Sequence, residues 1–139
     1  MVMEAAAAST EIWVLGWSVV LLIAHILVQA LSLDLSGDFS IRYLLSSRDD
    51  GRAPKSIVSG RLIRSLNNML ETYPAFIALA LALAVTGKTG ELGAVGAVMW
   101  IVARLVYALL YVAGIPVLRT LVWFVSIAGL VLMVVRLMT

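Results

Sequence analysis

The sequence predicts an all-α integral membrane protein, a bundle of four helices in one domain over residues 1–139. Three observations carry that expectation. Of the 139 residues, 63% are hydrophobic and 13% charged, whereas soluble domains use about 45–50% apolar and about 25% charged residues. Four apolar runs, at about 12–33, 62–85, 92–112 and 118–138, each approach the roughly 20 residues that cross a hydrocarbon core. The last two connections are short, and short connections make antiparallel neighbours in a bundle.

The first run is preceded by Glu4 and Glu11 with no Lys or Arg, and the small residues Ala5 to Ala8 lie before it. A cleavable leader has a basic start and small residues after its apolar stretch, so this run is expected to stay as a helix. The long polar connection, about 34–60, is rich in Ser, Asp and Gly and carries Arg42, Arg48, Arg52 and Lys55. The second run ends at the turn-forming set Thr86, Gly87, Lys88, Thr89 and Gly90, and the third at Gly114 and Pro116. Lys and Arg concentrate in the first loop, while the second loop has Lys88 only, which places the first loop on the cytoplasmic side and both termini opposite, with Arg136 a minor dissent.

Composition also excludes. The chain has no cysteine, so disulfides, thiolate metal sites and a cysteine nucleophile are ruled out. The net charge of +2 is scattered, with no polybasic block to serve as a nucleic-acid footprint. A single histidine, His25, with Gln29 four residues on, makes no metal site. It reads as an interhelical hydrogen bonder, with proton movement or an extension of a polar site as the alternative. Trp13, Trp17, Trp100 and Trp123 read as interface and packing residues, the last two also as a wall of a lipid-facing groove. Gly90, Gly93 and Gly96 with Ala94 and Ala97 read as a close helix contact, and Pro74 as a bend beyond Glu71.

Two polar stripes interrupt the apolar runs. Arg61, Arg64, Asn68 and Glu71 fall within about an 80° arc at 100° per residue, and Arg104, Tyr107 and Tyr111 repeat the same spacing. Glu71 and Arg104 each lie roughly 15–18 Å along their helices, near mid-bilayer. An isolated charge there costs at least about 2.5–3.5 kcal/mol, so the two are expected to form an ion pair. Such stripes either lock helices together, at about 1 kcal/mol per contact, or line a polar cavity. More polar groups are present than one lock requires, which favours a cavity opening toward the first loop. Guanidinium forks match carboxylates, and an asparagine amide both donates to and accepts from a peptide group, so the stripes suit an anionic, peptide-like ligand such as glutathione.

The run from Arg61 through Arg64, Asn67, Asn68, Glu71, Thr72, Tyr73 and Pro74 to Phe76 resembles the signature helix of the MAPEG superfamily, membrane-associated proteins in eicosanoid and glutathione metabolism. Arg104, Tyr107, Tyr111, Gly114, Pro116 and Arg119 resemble that family's third helix and the start of its fourth. The likeness spans essentially the whole chain. It implies a homotrimer with glutathione at subunit boundaries, facing the cytoplasm, and a hydrophobic second substrate reaching it through the lipid bilayer. Arg61, Arg64, Asn68, Glu71, Arg104, Tyr107 and Tyr111 would then form the glutathione site, with Arg119 and Tyr111 as the catalytic pair and Arg119 stabilising the thiolate. Arg48 or Arg52 is a candidate for a ligand carboxylate. Two departures stand out: Thr72 replaces the tyrosine of the leukotriene-forming branch, and Arg119 follows Tyr111 by eight residues where that branch has seven. The expected function is a membrane glutathione transferase or glutathione-dependent peroxidase. The alternatives are a noncatalytic trimeric membrane protein and a binder of another anionic metabolite.

Overall fold

The computed structural model describes residues 8–37, 45, 47 and 54–139; Arg42, Arg48 and Arg52 lie outside the described residues. Among the described residues four helices follow one another: α1 (Thr10–Leu35), α2 (Ile57–Val85), α3 (Glu91–Ala113) and α4 (Pro116–Met138). All four are long and apolar enough to cross a membrane. At 1.5 Å per residue even the 23-residue helices reach about 35 Å, more than the roughly 30 Å of a hydrocarbon core. The chain is an integral, multi-pass membrane protein.

Local chemistry sets the ends. Ser9 caps α1 by accepting from the Ile12 amide, and Ser56 caps α2 by accepting from the Ser59 amide. The Ser56 cap lets α2 begin at Ile57, before the apolar run that announces it. Gly114, at φ +80°, closes α3 in the left-handed conformation, and Pro116 opens α4, where its missing N–H costs nothing. Pro74 is accommodated within a continuous α2.

The helices alternate in direction, which gives the bundle a loop end (residues near 35, 57 and 114) and a termini end (residues near 10, 88 and 138). The packed core lies toward the termini end. Val14, Phe76, Leu83, Ala97, Trp100 and Met133, drawn from all four helices, are fully or almost fully buried there. Phe76 stacks on Trp100 with centroids 4.0 Å apart, and Tyr73 stacks on the same indole at 5.8 Å. Helices α3 and α4 meet backbone to backbone at Gly96 and Gly129: a Cβ added at either glycine would collide with the other's carbonyl oxygen. This is the close approach expected of the small residues in α3, with Gly129 of α4 as the partner that the patch lacked.

A polar clasp shuts the termini end. Buried Glu11 accepts from the Gly90 amide at 2.7 Å, Lys88 Nζ donates to the Leu137 carbonyl at 2.7 Å, and Arg136 donates to the Lys88 carbonyl at 3.1 Å and pairs with Glu91 at 3.0 Å. Arg136 thus serves to tie α4 to the α2–α3 turn.

Candidate functional site

Beyond Trp100 toward the loop end, the polar residues replace the apolar core. Asn68 lies about 17 Å from the start of α2, and Arg104 about 14 Å from the end of α3, at 1.5 Å per residue. Antiparallel packing therefore brings them level, and Arg104 Nη1 donates to Asn68 Oδ1 at 2.7 Å. Asn68 Nδ2 in turn donates to Glu71 Oε2 at 3.3 Å. The direct Glu71 to Arg104 ion pair expected from the sequence is not found among the described residues. The amide of Asn68 stands between the two charges because it is one helical turn closer to the level of Arg104 than Glu71 is.

Arg104 is 2% exposed, and its Nε and Nη2 have no hydrogen-bond partner among the described residues. Leaving charged donors buried and unmet is costly, so this guanidinium calls for a partner beyond the Asn68 amide. The guanidinium has aromatic neighbours, Tyr107 at 5.6 Å and Trp100 at 5.9 Å, within the range of cation–π attraction.

Nearer the loop end, Tyr107 and Tyr111 lie one turn apart with ring centroids 5.6 Å from each other. Arg119, on the first turn of α4, sits over the Tyr111 ring at 4.3 Å, and Arg64 approaches the same ring at 5.9 Å. Tyr111 is thereby bracketed by two cations from two other helices. Between α2, α3 and α4 a recess of about 190 Å³ opens, lined by Asn68, Tyr107, Arg119, Thr120 and Trp123. Thr120 is the one lining residue that sequence reasoning missed. Its position beside Arg119, and three residues before Trp123 on the next turn, was the available signal.

The structure therefore gathers Asn68, Arg104, Tyr107, Tyr111 and Arg119, with Arg64 at the margin. Arg61 is set apart: its Nη1 donates to the Val112 carbonyl at 3.0 Å and its guanidinium fills the space beside Gly114, so it satisfies the end of α3. Tyr73 is also removed from the recess. It is buried, and its hydroxyl hydrogen-bonds Ser18 of α1 at 3.0 Å, so it does not supply the aromatic hydroxyl that Thr72 lacks. Arg64, Asn67 and Glu71 are exposed on the outer side of α2.

Chemically the recess offers the Asn68 amide, the Tyr107 ring and the Arg119 cation, with buried Arg104 behind Asn68 and Tyr111 beneath Arg119. That set can hold an anionic ligand and stabilise a negative charge on an atom placed near Arg119 and Tyr111. In comparisons with known proteins, a model of the MAPEG family matches residues 14–139. No curated protein and no solved structure gives a significant match.

Proposed function

The chain belongs to the MAPEG family, and from that premise we propose that it is a membrane glutathione transferase or glutathione-dependent peroxidase. The carrying observation is Arg104: buried, bound through one nitrogen to Asn68, which lines the recess with Tyr107 and Arg119, and left with two donors that have no partner among the described residues. Those donors suit a glutathione carboxylate or peptide carbonyl, with Asn68 and Arg64 completing the polar contacts and Glu71 taking the amine. Arg61 supports this site from behind by holding the end of α3.

Arg119 and Tyr111 are the proposed catalytic groups. A free thiol near pKa 8.5 is mostly protonated at neutral pH, and a neighbouring cation favours the thiolate. The sulfur loses its proton to water and attacks a hydrophobic electrophile, forming a C–S bond as the leaving group departs. With a hydroperoxide, the thiolate attacks the O–O bond, releasing an alcohol and a sulfenic acid that a second glutathione reduces, with loss of water, to the disulfide. Neither route needs a protein cysteine. The bilayer supplies the hydrophobic partner.

The homotrimer is what the family resemblance implies, and two observations support a site at subunit boundaries. The recess of about 190 Å³ is below the roughly 300–1,000 Å³ of ligand pockets, so a tripeptide requires a further wall. Arg64, Asn67 and Glu71 are exposed at bilayer depth, where lipid is a poor solvent for them and a second subunit is a good one. The excess of Arg and Lys in the first loop supports a cytoplasmic loop end.

The test is glutathione binding and conjugation of an activated aryl chloride by detergent-purified protein. Wild-type protein is expected to bind glutathione. Asn68→Ala removes the partner of a buried charge, a contact of about 1.5–3 kcal/mol, and is expected to weaken binding at least about tenfold. Arg119→Ala should lower kcat far more than it weakens binding. Absence of glutathione binding by the wild type would overturn the proposal. The Asn68 bridge also suits a second reading, a purely structural lock, under which Asn68→Ala lowers thermal stability and leaves glutathione affinity unchanged.

A further inference from the structure

A second cavity system lies on the opposite side of α3 from the tyrosine stripe. At its loop end is a cavity of about 430 Å³ between α1, α2 and α3, walled by Leu21, Leu62, Ala108, Leu109 and Val112, with His25 as its polar member. It shares Leu21 with a groove of about 370 Å³ that continues between α1 and α3 past Leu105 and Ile101 to Trp17 and Trp13. Together they form an apolar channel parallel to the helices, running most of the depth of the membrane.

His25 is 8% exposed, and its ring is held by the Leu62 backbone carbonyl while Nε2 has no partner. A neutral imidazole that donates through one ring nitrogen presents an acceptor at the other. Nε2 is therefore an unmet, buried acceptor on a side chain that lines an otherwise apolar channel. His25 lies ten residues from the loop end of α1, about 15 Å along the helix axis. The helix exceeds the roughly 30 Å hydrocarbon core by several ångströms at each end, so Nε2 sits well below the headgroups.

We propose that this channel binds a membrane acyl chain that carries a hydroxyl or hydroperoxyl group partway along its length, the O–H donating to His25 Nε2. A headgroup cannot reach this depth without dragging charge into hydrocarbon, and a plain chain leaves the buried acceptor unmet. A second copy of the chain is a poorer occupant. Arg64, Asn67 and Glu71, the α2 residues that need protein cover, lie about 140–200° around α2 from Leu62, the channel residue, at 100° per residue. Subunit contacts that cover the stripe leave the channel to lipid. The site is independent of glutathione.

Native mass spectrometry tests this on protein from nanodiscs holding equal amounts of two phospholipids that differ only in a mid-chain hydroxyl. Wild-type protein is expected to retain the hydroxylated lipid about five- to tenfold over the plain one, the factor for one net hydrogen bond. His25→Leu should abolish the preference, His25→Gln should keep part of it, and Leu109→Trp should reduce retention of both lipids by filling the channel. Equal retention by the wild type, the outcome if water alone meets Nε2, overturns the proposal, as does a preference that survives in His25→Leu. If His25→Leu does not fold, Leu109→Trp decides, and undiminished retention of the hydroxylated lipid there overturns the proposal too. Glutathione binding by the same preparations is expected to stay unchanged, so the two readings fail separately.

Discussion

At the scale of single residues, each end of the bundle depends on one side chain that ties a helix to a neighbouring helix end or turn. Arg61 occupies the volume beside Gly114, where an added Cβ would lie 2.6 Å from Nη2, and Gly114 itself has φ +80°. Gly114→Ala meets both penalties. The left-handed conformation alone costs about 1–2 kcal/mol for a residue with a Cβ, and the displaced guanidinium gives up the Val112 carbonyl. Melting in detergent should show a clear loss of stability, larger than that of Gly16→Ala, whose Cβ would meet nothing within 4 Å. At that helical position alanine is favoured over glycine by about 0.5–1 kcal/mol, so Gly16→Ala is expected to be neutral or stabilising. Glu11 is the corresponding residue at the termini end. Glu11→Gln keeps an acceptor for the Gly90 amide and should fold normally, whereas Glu11→Ala releases α1 from the α2–α3 turn and is expected to raise hydrogen exchange at Gly90.

At the scale of helices, the bundle is held unevenly. Helices α3 and α4 are in backbone contact at Gly96 and Gly129, while α1 rests on α2 and α3 through side chains such as Ser18 and Tyr73. Gly96→Ala drives a Cβ into the Gly129 carbonyl and is expected to cost about 1–3 kcal/mol, typical of overpacking. Thermal unfolding compared with Ala97→Gly, which only empties a buried site, checks the direction. Helix existence and order were legible in the sequence because apolar length suffices to specify a membrane helix. The pairing of Asn68 with Arg104 was half legible. Spacing gives the angles between residues on one helix and their depth, which places both near mid-bilayer. It does not give the rotation of that helix within the bundle. That rotation turns Asn68 inward and Arg64 and Glu71 toward the protomer's edge, so the expected ion pair became a bridge through an amide. The role of Arg61 was hidden for a related reason, since nothing in a stripe of like spacing tells which arginine reaches a neighbouring helix end.

At the scale of the whole molecule, the outer side of α2 carries the strongest demand for a partner. Glu71 is exposed about 21 Å along a 29-residue helix, where it accepts a hydrogen bond from Asn68 at 3.3 Å. If lipid covered it, removing the charge would help: Glu71→Leu would stabilise the protein by relieving a cost of order 2.5–3.5 kcal/mol. If another subunit covers it, the carboxylate meets a donor across the boundary. Glu71→Leu then strands that donor, and Glu71→Lys adds repulsion beside Arg64 and Arg104. The trimer reading therefore predicts wild-type particles of three 15.0 kDa chains by native mass spectrometry, with Glu71→Lys shifted to monomers and Glu71→Leu no more stable than wild type. Monomeric wild-type protein stabilised by Glu71→Leu would place α2 against lipid and require the recess to act within one protomer.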